Sequence, residues 1–389
     1  MSKTITRTVW LLSLVSLFTD MASEMLYPVM PVYLREIGFT FLWIGILEGC
    51  AEAVAGLSKS YFGALSDSSG KRLPFVQWGY ALSAVSKPMM ALFTNVGWIF
   101  TARTADRLGK GMRTGARDAM LSEETTPLNK GEVFGFHRSM DTFGAVLGPA
   151  IALLFLYFYP GRYTWLFYIA FFPGILAILA TTLIRPKPSR PSGRKNISLL
   201  ESFRFWKQSN REYKFLVRGL LLFALFNSSD LLLLLKIRET GFSDTAVIGI
   251  YIFYNLVYGL LAWPLGKLAD RIGLGKVFIG GLVFFMITYL GFAFNESLAG
   301  FIFLFFSYGI YAACTEGTSK AWITKIVNED ETATAIGTYT GFQSIAALFA
   351  SSFAGWLWFT FGAQTAFLSS GIVCLLVIIY FMLQKKKEL

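Results

Sequence analysis

Asp20 and Glu24 stand four residues apart in one long apolar run, and Glu48 and Glu52 repeat that spacing in the next. Four residues is one helical turn, so each pair shares a helix face. A third run carries Lys87, and a fourth carries Arg103, Asp106, Arg107, Lys110, Arg113 and Arg117 as one stripe at i, i+4 and i+7 spacing. A fifth adds His137, Arg138 and Asp141. The second half of the chain is poorer, with Asp230, Glu316 and Lys320. Two chemistries fit these groups. In one, acids and bases pair as salt bridges that orient helices. In the other, some carboxylates take up and release protons: withdrawal from water raises a carboxylate's proton affinity, and a nearby arginine lowers it again. Asp20 and Glu24, about halfway along the first run, lead as proton carriers, with Arg107 as the partner that moves; the same two acids could instead bind a cationic solute. His137, the only histidine, reads as a packing residue or as a proton relay beside Arg138 and Asp141.

The elements that carry these residues must cross a membrane. The 389-residue chain is 54% hydrophobic and 15% charged, with 38 Phe and a mean hydropathy of +0.54. A soluble protein has too few charges at that level to cover its apolar surface. The composition excludes a disordered chain, a nucleic-acid-binding domain and most soluble enzymes. The net charge of +11 is then read against lipid, where Lys and Arg mark the cytoplasmic side. Cys50, Cys314 and Cys374 lie in apolar runs, and their spacing fits neither a disulfide framework nor zinc. No cluster has metal-ligand spacing, so no metal or other cofactor is expected.

A crossing helix needs about 20 apolar residues. Such stretches are read at 8–34, 41–65, 74–95, 97–120, 132–158, 163–184, 214–236, 244–265, 277–297, 299–324, 332–359 and 363–383. The arginine-rich fourth is kept because omitting it would put basic loops on both sides. Lys71 and Arg72 follow the second span, Lys267, Arg271 and Lys276 the eighth, and Lys385–Lys387 end the chain. Both termini are therefore expected in the cytoplasm of a multi-pass protein of the plasma (inner) membrane. Asp20, Glu24 and the absence of a small-residue cleavage site argue against a signal peptide. The expected division is a six-helix bundle over 1–184, a basic linker over 185–213 with a surface helix at Leu199–Trp206, and a second six-helix bundle over 214–389.

The two halves are copies. Leu34-Arg35-Glu36-Ile37-Gly38-Phe39 recurs as Ile237-Arg238-Glu239-Thr240-Gly241-Phe242, 203 residues later. Gly63, Asp67 and Gly70 recur as Gly266, Asp270 and Gly273 at the same offset, and Gly56 as Gly259. Asn227 stands where Glu24 does, and Asn255 where Glu52 does. The repeat kept polarity there and lost charge, so charge handling is expected in the first half. Parallel repeats of this kind place a substrate path between the halves.

The segments Gly63-x-Leu65-x-Asp67-x-x-Gly70-Lys71-Arg72 and Gly266-x-Leu268-Ala269-Asp270-Arg271-x-Gly273 resemble the loop signature of the major facilitator superfamily. Arg107-x-x-Lys110-Gly111 resembles its fourth-span signature in proton-coupled members, with Lys110 in place of Gln and Arg113 in place of a small residue. Gly135, Gly144, Gly148 and Pro149 keep the spacing of the fifth-span signature of antiporters; Ala152-Leu153 replaces its closing glycine pair. The resemblance covers the whole chain and implies twelve helices in two pseudo-symmetric bundles, alternating access, and a cytoplasmic latch at Asp67 and Asp270.

The function expected is secondary transport of a small organic solute, with protons as the coupling ion. The four carboxylates and the antiporter spacing favour export of a cationic or zwitterionic amphipathic compound. The Arg/Lys stripe favours the alternative, import or export of a carboxylate-bearing solute such as an organic acid or siderophore. A membrane-embedded enzyme or a non-transporting sensor is the minor alternative. No Walker sequence is present, and the chain is expected to act as a monomer with no nucleic-acid partner.

Overall fold

The computed structural model describes residues 4–385 apart from 28, 40, 186–190 and 192–200, and within some described helices it leaves out individual side chains, Glu48 and Glu52 among them. Among the described residues all regular structure is helical. The elements are α1 (Arg7–Leu26), α2 (Met30–Glu36), α3 (Phe41–Ser69), α4 (Arg72–Leu92), α5 (Val96–Glu123), α6 (Lys130–Phe158), α7 (Tyr163–Thr182) and α8 (Glu201–Gln208). Then come α9 (Arg211–Ala224), α10 (Asp230–Glu239), α11 (Asp244–Ile272), α12 (Leu274–Phe294), α13 (Leu298–Ile326), α14 (Thr332–Phe361) and α15 (Ala363–Lys385). A single 3-10 turn, Glu329–Glu331, precedes α14.

Eight of the helices are long and apolar enough to span a bilayer: α1, α6, α7 and α11–α15. At 29, 21 and 28 residues, α3, α4 and α5 have the length. With α1–α2 and α9–α10 each taken as one segment, the elements fill the twelve spans. The amphipathic α8 lies in the linker; Lys187, Arg190, Arg194 and Lys195 of the linker fall outside the described residues.

Two of the spans are interrupted. The first breaks between Leu26 and Met30, where Pro28 lies outside the described residues. Pro31 falls in the opening turn of α2, a position that tolerates a missing N–H. The seventh breaks over 225–229. Asn227, Ser228 and Ser229 offer the backbone side-chain partners that compete with the helix, and the Ser229 hydroxyl caps α10 by accepting from Leu231 N at 3.3 Å.

Chain packing groups the residues into two compact units. Unit 1 comprises Met1–Thr126, Met140–Gln208 and Val327–Gly341; unit 2 comprises Pro127–Ser139, Ser209–Ile326 and Phe342–Leu389. The opening turns of α6 thus pack within unit 2, and those of α14 within unit 1. The core of unit 1 gathers Met25, Leu26, Tyr33, Leu34, Met90, Ile99, Leu166 and Phe167. There the Tyr33 hydroxyl donates to Met90 O at 2.8 Å. Unit 2 is aromatic: Phe278, Phe285, Tyr289, Phe292, Phe301, Phe305 and Phe367 are all fully buried, with Phe285 and Tyr289 stacked at 4.1 Å. Much of the phenylalanine content is therefore core. Other large apolar side chains, such as Trp78, Leu154 and Phe359, are exposed, as lipid-facing helices require.

The repeat has a conformational cause. Gly38 and Gly241 have φ of +93° and +91°, and Gly70 and Gly273, also 203 residues apart, have φ of +64° and +106°. Side-chain-bearing residues rarely adopt this left-handed backbone.

Candidate functional site

In unit 1, α4 and α5 meet through paired glycines: a Cβ on Gly79 would strike Gly109 O at 2.7 Å, and one on Gly109 would strike Gly79 O at 2.6 Å. This close approach brings Asp106 of α5 onto α4. Asp106 Oδ1 accepts from Ser83 Oγ at 2.5 Å and pairs with Lys87 Nζ at 3.4 Å; its Oδ2 faces Arg103 Nη1 at 3.5 Å. Arg107 lies within electrostatic reach of the same carboxylate. Further along α5, Arg117 pairs with Asp118 at 2.9 Å and donates to Ser16 Oγ at 3.2 Å, while Ser16 donates to Asp141 Oδ1 at 2.5 Å. Arg113 lies 4.7 Å over the ring of Tyr80. The α5 stripe therefore does not occupy one environment: Asp106, Arg113 and Arg117 are buried, Arg103 and Arg107 are half-buried, and Lys110 is exposed.

Asp20 and Glu24 are half-buried on α1, on the turn against which α6 packs. A Cβ on Gly144 would meet Asp20 Cβ at 3.0 Å, and one on Gly148 the Glu24 carbonyl carbon at 3.1 Å. Two of the fifth-span glycines thus let backbone approach the acidic turn, and Pro149 is buried beside them inside α6. The third, Gly135, belongs to unit 2 and meets Ala262 O at 2.5 Å. His137 and Arg138 also belong to unit 2, whereas Asp141 belongs to unit 1. His137 is buried, and Arg138 donates to the Tyr258 hydroxyl with its guanidinium 5.2 Å from that ring.

Each loop-signature aspartate receives a helix N-terminus. In unit 1, Asp67 Oδ2 accepts from Thr334 N and Thr334 Oγ1, both at 2.7 Å, and Oδ1 accepts from Ala333 N at 3.4 Å. Arg72 holds Asp67 at 3.1 Å, Glu123 at 3.0 Å and the Glu329 carbonyl at 2.7 Å. In unit 2, Asp270 accepts from Gly131 N at 2.7 Å and Glu132 N at 2.6 Å. Unpaired N–H groups of a first helical turn carry partial positive charge, so a carboxylate binds there strongly. Gly63 and Gly266 make the approach possible: a Cβ on Gly63 would strike Ala333 O at 2.5 Å, and one on Gly266 would run into the Gly131 carbonyl. Arg271, the residue after the second aspartate, is exposed.

The α9–α10 interruption forms the polar centre of unit 2. Asp230 opens α10, and its Oδ1 accepts from the Tyr308 hydroxyl at 2.6 Å. Asn227 Nδ2 donates to the Tyr311 hydroxyl at 2.9 Å, and the Ser228 and Tyr289 hydroxyls lie 3.2 Å apart. Tyr254 packs 5.0 Å from Tyr308, and Tyr308 5.2 Å from Tyr311. Glu316 lies within electrostatic reach of Asp230, and Lys320 is half-buried one turn further along α13. Asn255 instead donates to Tyr251 O of its own helix at 3.0 Å.

Several partners went unread in the sequence: Ser16, Ser83, Thr334, Tyr308 and Tyr311. The hydroxyls of Ser and Thr leave no pattern. The tyrosines do leave one, since 251, 254 and 258 on α11 and 308 and 311 on α13 recur at helical spacing.

A sequence model of the Major Facilitator Superfamily matches residues 12–252 and 219–389. The chain is also 32% identical over 387 residues to the MFS-type transporter MJ1317 of Methanocaldococcus jannaschii, covering 96% of this chain and 95% of that protein. The chain belongs to the major facilitator superfamily. It is a membrane transporter, not an enzyme, and it acts on small molecules. The quinolone resistance protein NorA of Staphylococcus aureus is 29% identical over 168 residues, 43% of this chain and 42% of NorA. Among solved structures, the E. coli fucose:proton symporter FucP superposes with a TM-score of 0.79 at 14% identity, covering 96% of this chain and 98% of FucP. The superfamily fold is thus shared at an identity too low to carry a substrate across.

Proposed function

We propose that this transporter couples the movement of an amphipathic cation or zwitterion to protons, as an exporter in the plasma membrane with both termini in the cytoplasm. The observation that carries the reading is the Asp230–Tyr308 pair at the broken helix of unit 2. Interrupted spans in corresponding positions of two repeats are where transporters of this architecture build their sites; here both the first and the seventh span are interrupted. A carboxylate among tyrosine rings suits an organic cation twice over, through charge and through the faces of the rings. The same carboxylate serves as a proton carrier, held in place by the Tyr308 hydroxyl. Asp20 and Glu24 remain the second pair of proton carriers, at the turn that Gly144 and Gly148 bring against α6. Export is supported by the antiporter-like spacing of those glycines and by the partial likeness to a protein named for quinolone resistance. Coupling to protons is supported by the fold shared with a proton symporter.

A second reading has its own observation. The cations of α4 and α5 favour a carboxylate-bearing solute, such as an organic acid.

Whole cells expressing the protein decide between them. Accumulation of an aromatic cation (ethidium) and of an aromatic anion (benzoate) is measured with and without an uncoupler. The reading expects lowered ethidium accumulation that the uncoupler restores. A gradient-dependent effect on benzoate alone selects the second reading, and no effect of the uncoupler on either refutes proton coupling.

A further inference from the structure

The buried charges of α4 and α5 are paired with one exception. Asp106 is shared by Lys87 and Arg103, and Arg117 is balanced by Asp118 and, through Ser16, by Asp141. Arg113 is 5% exposed, and its Nε and Nη1 are buried with no hydrogen-bond acceptor among the described residues. Its guanidinium rests on the face of Tyr80, which is itself 1% exposed. The Tyr80 hydroxyl is buried beside Arg117, from which it can accept a hydrogen bond, and its own O–H has no acceptor of regular geometry among the described residues. Gly79 leaves space for this arrangement, since a Cβ there would strike Arg113 Cβ at 2.7 Å. Lys87 lies within electrostatic reach of Arg113 and adds to the positive potential.

A desolvated guanidinium with no acceptor is costly, and stacking on a tyrosine offsets only part of that cost. Buried polar groups are otherwise satisfied almost throughout native proteins. The unsatisfied donors of Arg113, beside a phenol on the facing helix, mark the place of an absent acceptor. The Nε and Nη1 hydrogens lie on different edges of the planar guanidinium, and each can donate to an oxygen of a carboxylate. The phenolic O–H supplies a third donor.

We propose that Arg113 and Tyr80 form an anion subsite within unit 1, which binds the carboxylate, or a comparable oxyanion, of an organic solute. The proposal rests on the transport reading above for that solute being the cargo, and it adds a negative group to the cargo's chemistry.

Thermal unfolding of the purified full-length protein tests this with two probes, benzoate and benzyltrimethylammonium. Ligand that binds the folded state alone raises Tm by mass action. Millimolar benzoate is expected to raise Tm of the wild type by about 3 °C. Arg113→Met should abolish the benzoate shift, leave the benzyltrimethylammonium shift intact, and melt no lower than the wild type without anion, because an uncompensated buried charge has been removed. Arg113→Lys should keep a reduced benzoate shift, since an ammonium lacks the planar guanidinium's donors. An equal benzoate shift in the wild type and Arg113→Met overturns the proposal. So does a wild type that benzoate does not stabilise. Where Arg113→Met does not fold, Tyr80→Phe replaces it, and an undiminished benzoate shift in that variant overturns the subsite. Failure of benzyltrimethylammonium to stabilise the wild type contradicts the cation reading at Asp230 and leaves the Arg113 result to stand by itself.

Discussion

The Tyr308 hydroxyl donates to Asp230 at 2.6 Å across the break between α9 and α10. Neither residue lies in a signature segment, and they are 78 positions apart in sequence. Their pairing places an ionisable group where the helix has released its backbone. Tyr308→Phe removes one hydrogen bond to a carboxylate and should weaken cation binding or transport by roughly tenfold while the protein stays folded. Isotope or fluorescence transport in reconstituted vesicles reads this directly.

Asp67 and Asp270 are equivalent by repeat but not by environment. Asp67 is 1% exposed and answers to Arg72 as well as to the α14 N-terminus. Asp270 is half-buried and is held by two N–H groups of the α6 N-terminus. Asp67→Asn leaves Arg72 short of a buried partner and should destabilise the protein by about 3 kcal/mol. Asp270→Asn should cost about 1 kcal/mol. Thermal or denaturant unfolding in detergent checks the order of the two.

Gly144 and Gly148 are contacts between backbones, so any side chain pushes α6 away from the Asp20–Glu24 turn. Gly144→Val and Gly148→Val should each cost about 1–3 kcal/mol by overpacking. Gly249→Ala and Gly280→Ala, where a new Cβ meets nothing within 4 Å, should leave unfolding unchanged. Yield and melting of the four variants give the comparison.

Lys87, Arg103 and Asp106 form a set in which one acid answers two bases. Asp106→Asn leaves Lys87 without its buried counter-charge and should lower stability by about 3 kcal/mol, whereas the double change Lys87→Met, Asp106→Leu should recover most of that loss. A double-mutant cycle on the melting curves isolates the pair.

The fold was legible because hydropathy and an exact repeat are collective properties. Twelve apolar runs and a 203-residue offset survive many local exceptions, and the left-handed glycines at 38, 241, 70 and 273 are fixed by backbone geometry. The two interruptions were not legible from apolarity. Leu220–Phe226 and Leu231–Leu235 read as one run, and only the short Asn-Ser-Ser piece between them signals the break. In the candidate site, the ionisable residues were visible because charges are costly in a membrane. Their partners were not. Spacing placed Arg113 and Arg117 on one stripe, yet Arg117 pairs with Asp118 and Arg113 stacks on Tyr80. That distinction depends on which helix faces each turn, and a single sequence does not carry it. His137 and Asp141 show the same limit from the other side: neighbours in sequence, they pack in different units.

In the proposed cycle the transporter exchanges protons for a positively charged solute through Asp230. The most direct measurement is proton release from acid-loaded proteoliposomes carrying a trapped pH dye, on external addition of an aromatic cation from a panel of ethidium, benzyltrimethylammonium and tetramethylrhodamine. Alkalinisation of the lumen by at least one of these is expected with the wild-type protein, and none with Asp230→Asn at equal incorporation. Undiminished proton release by Asp230→Asn, or no release by the wild type with any of the three, would contradict it.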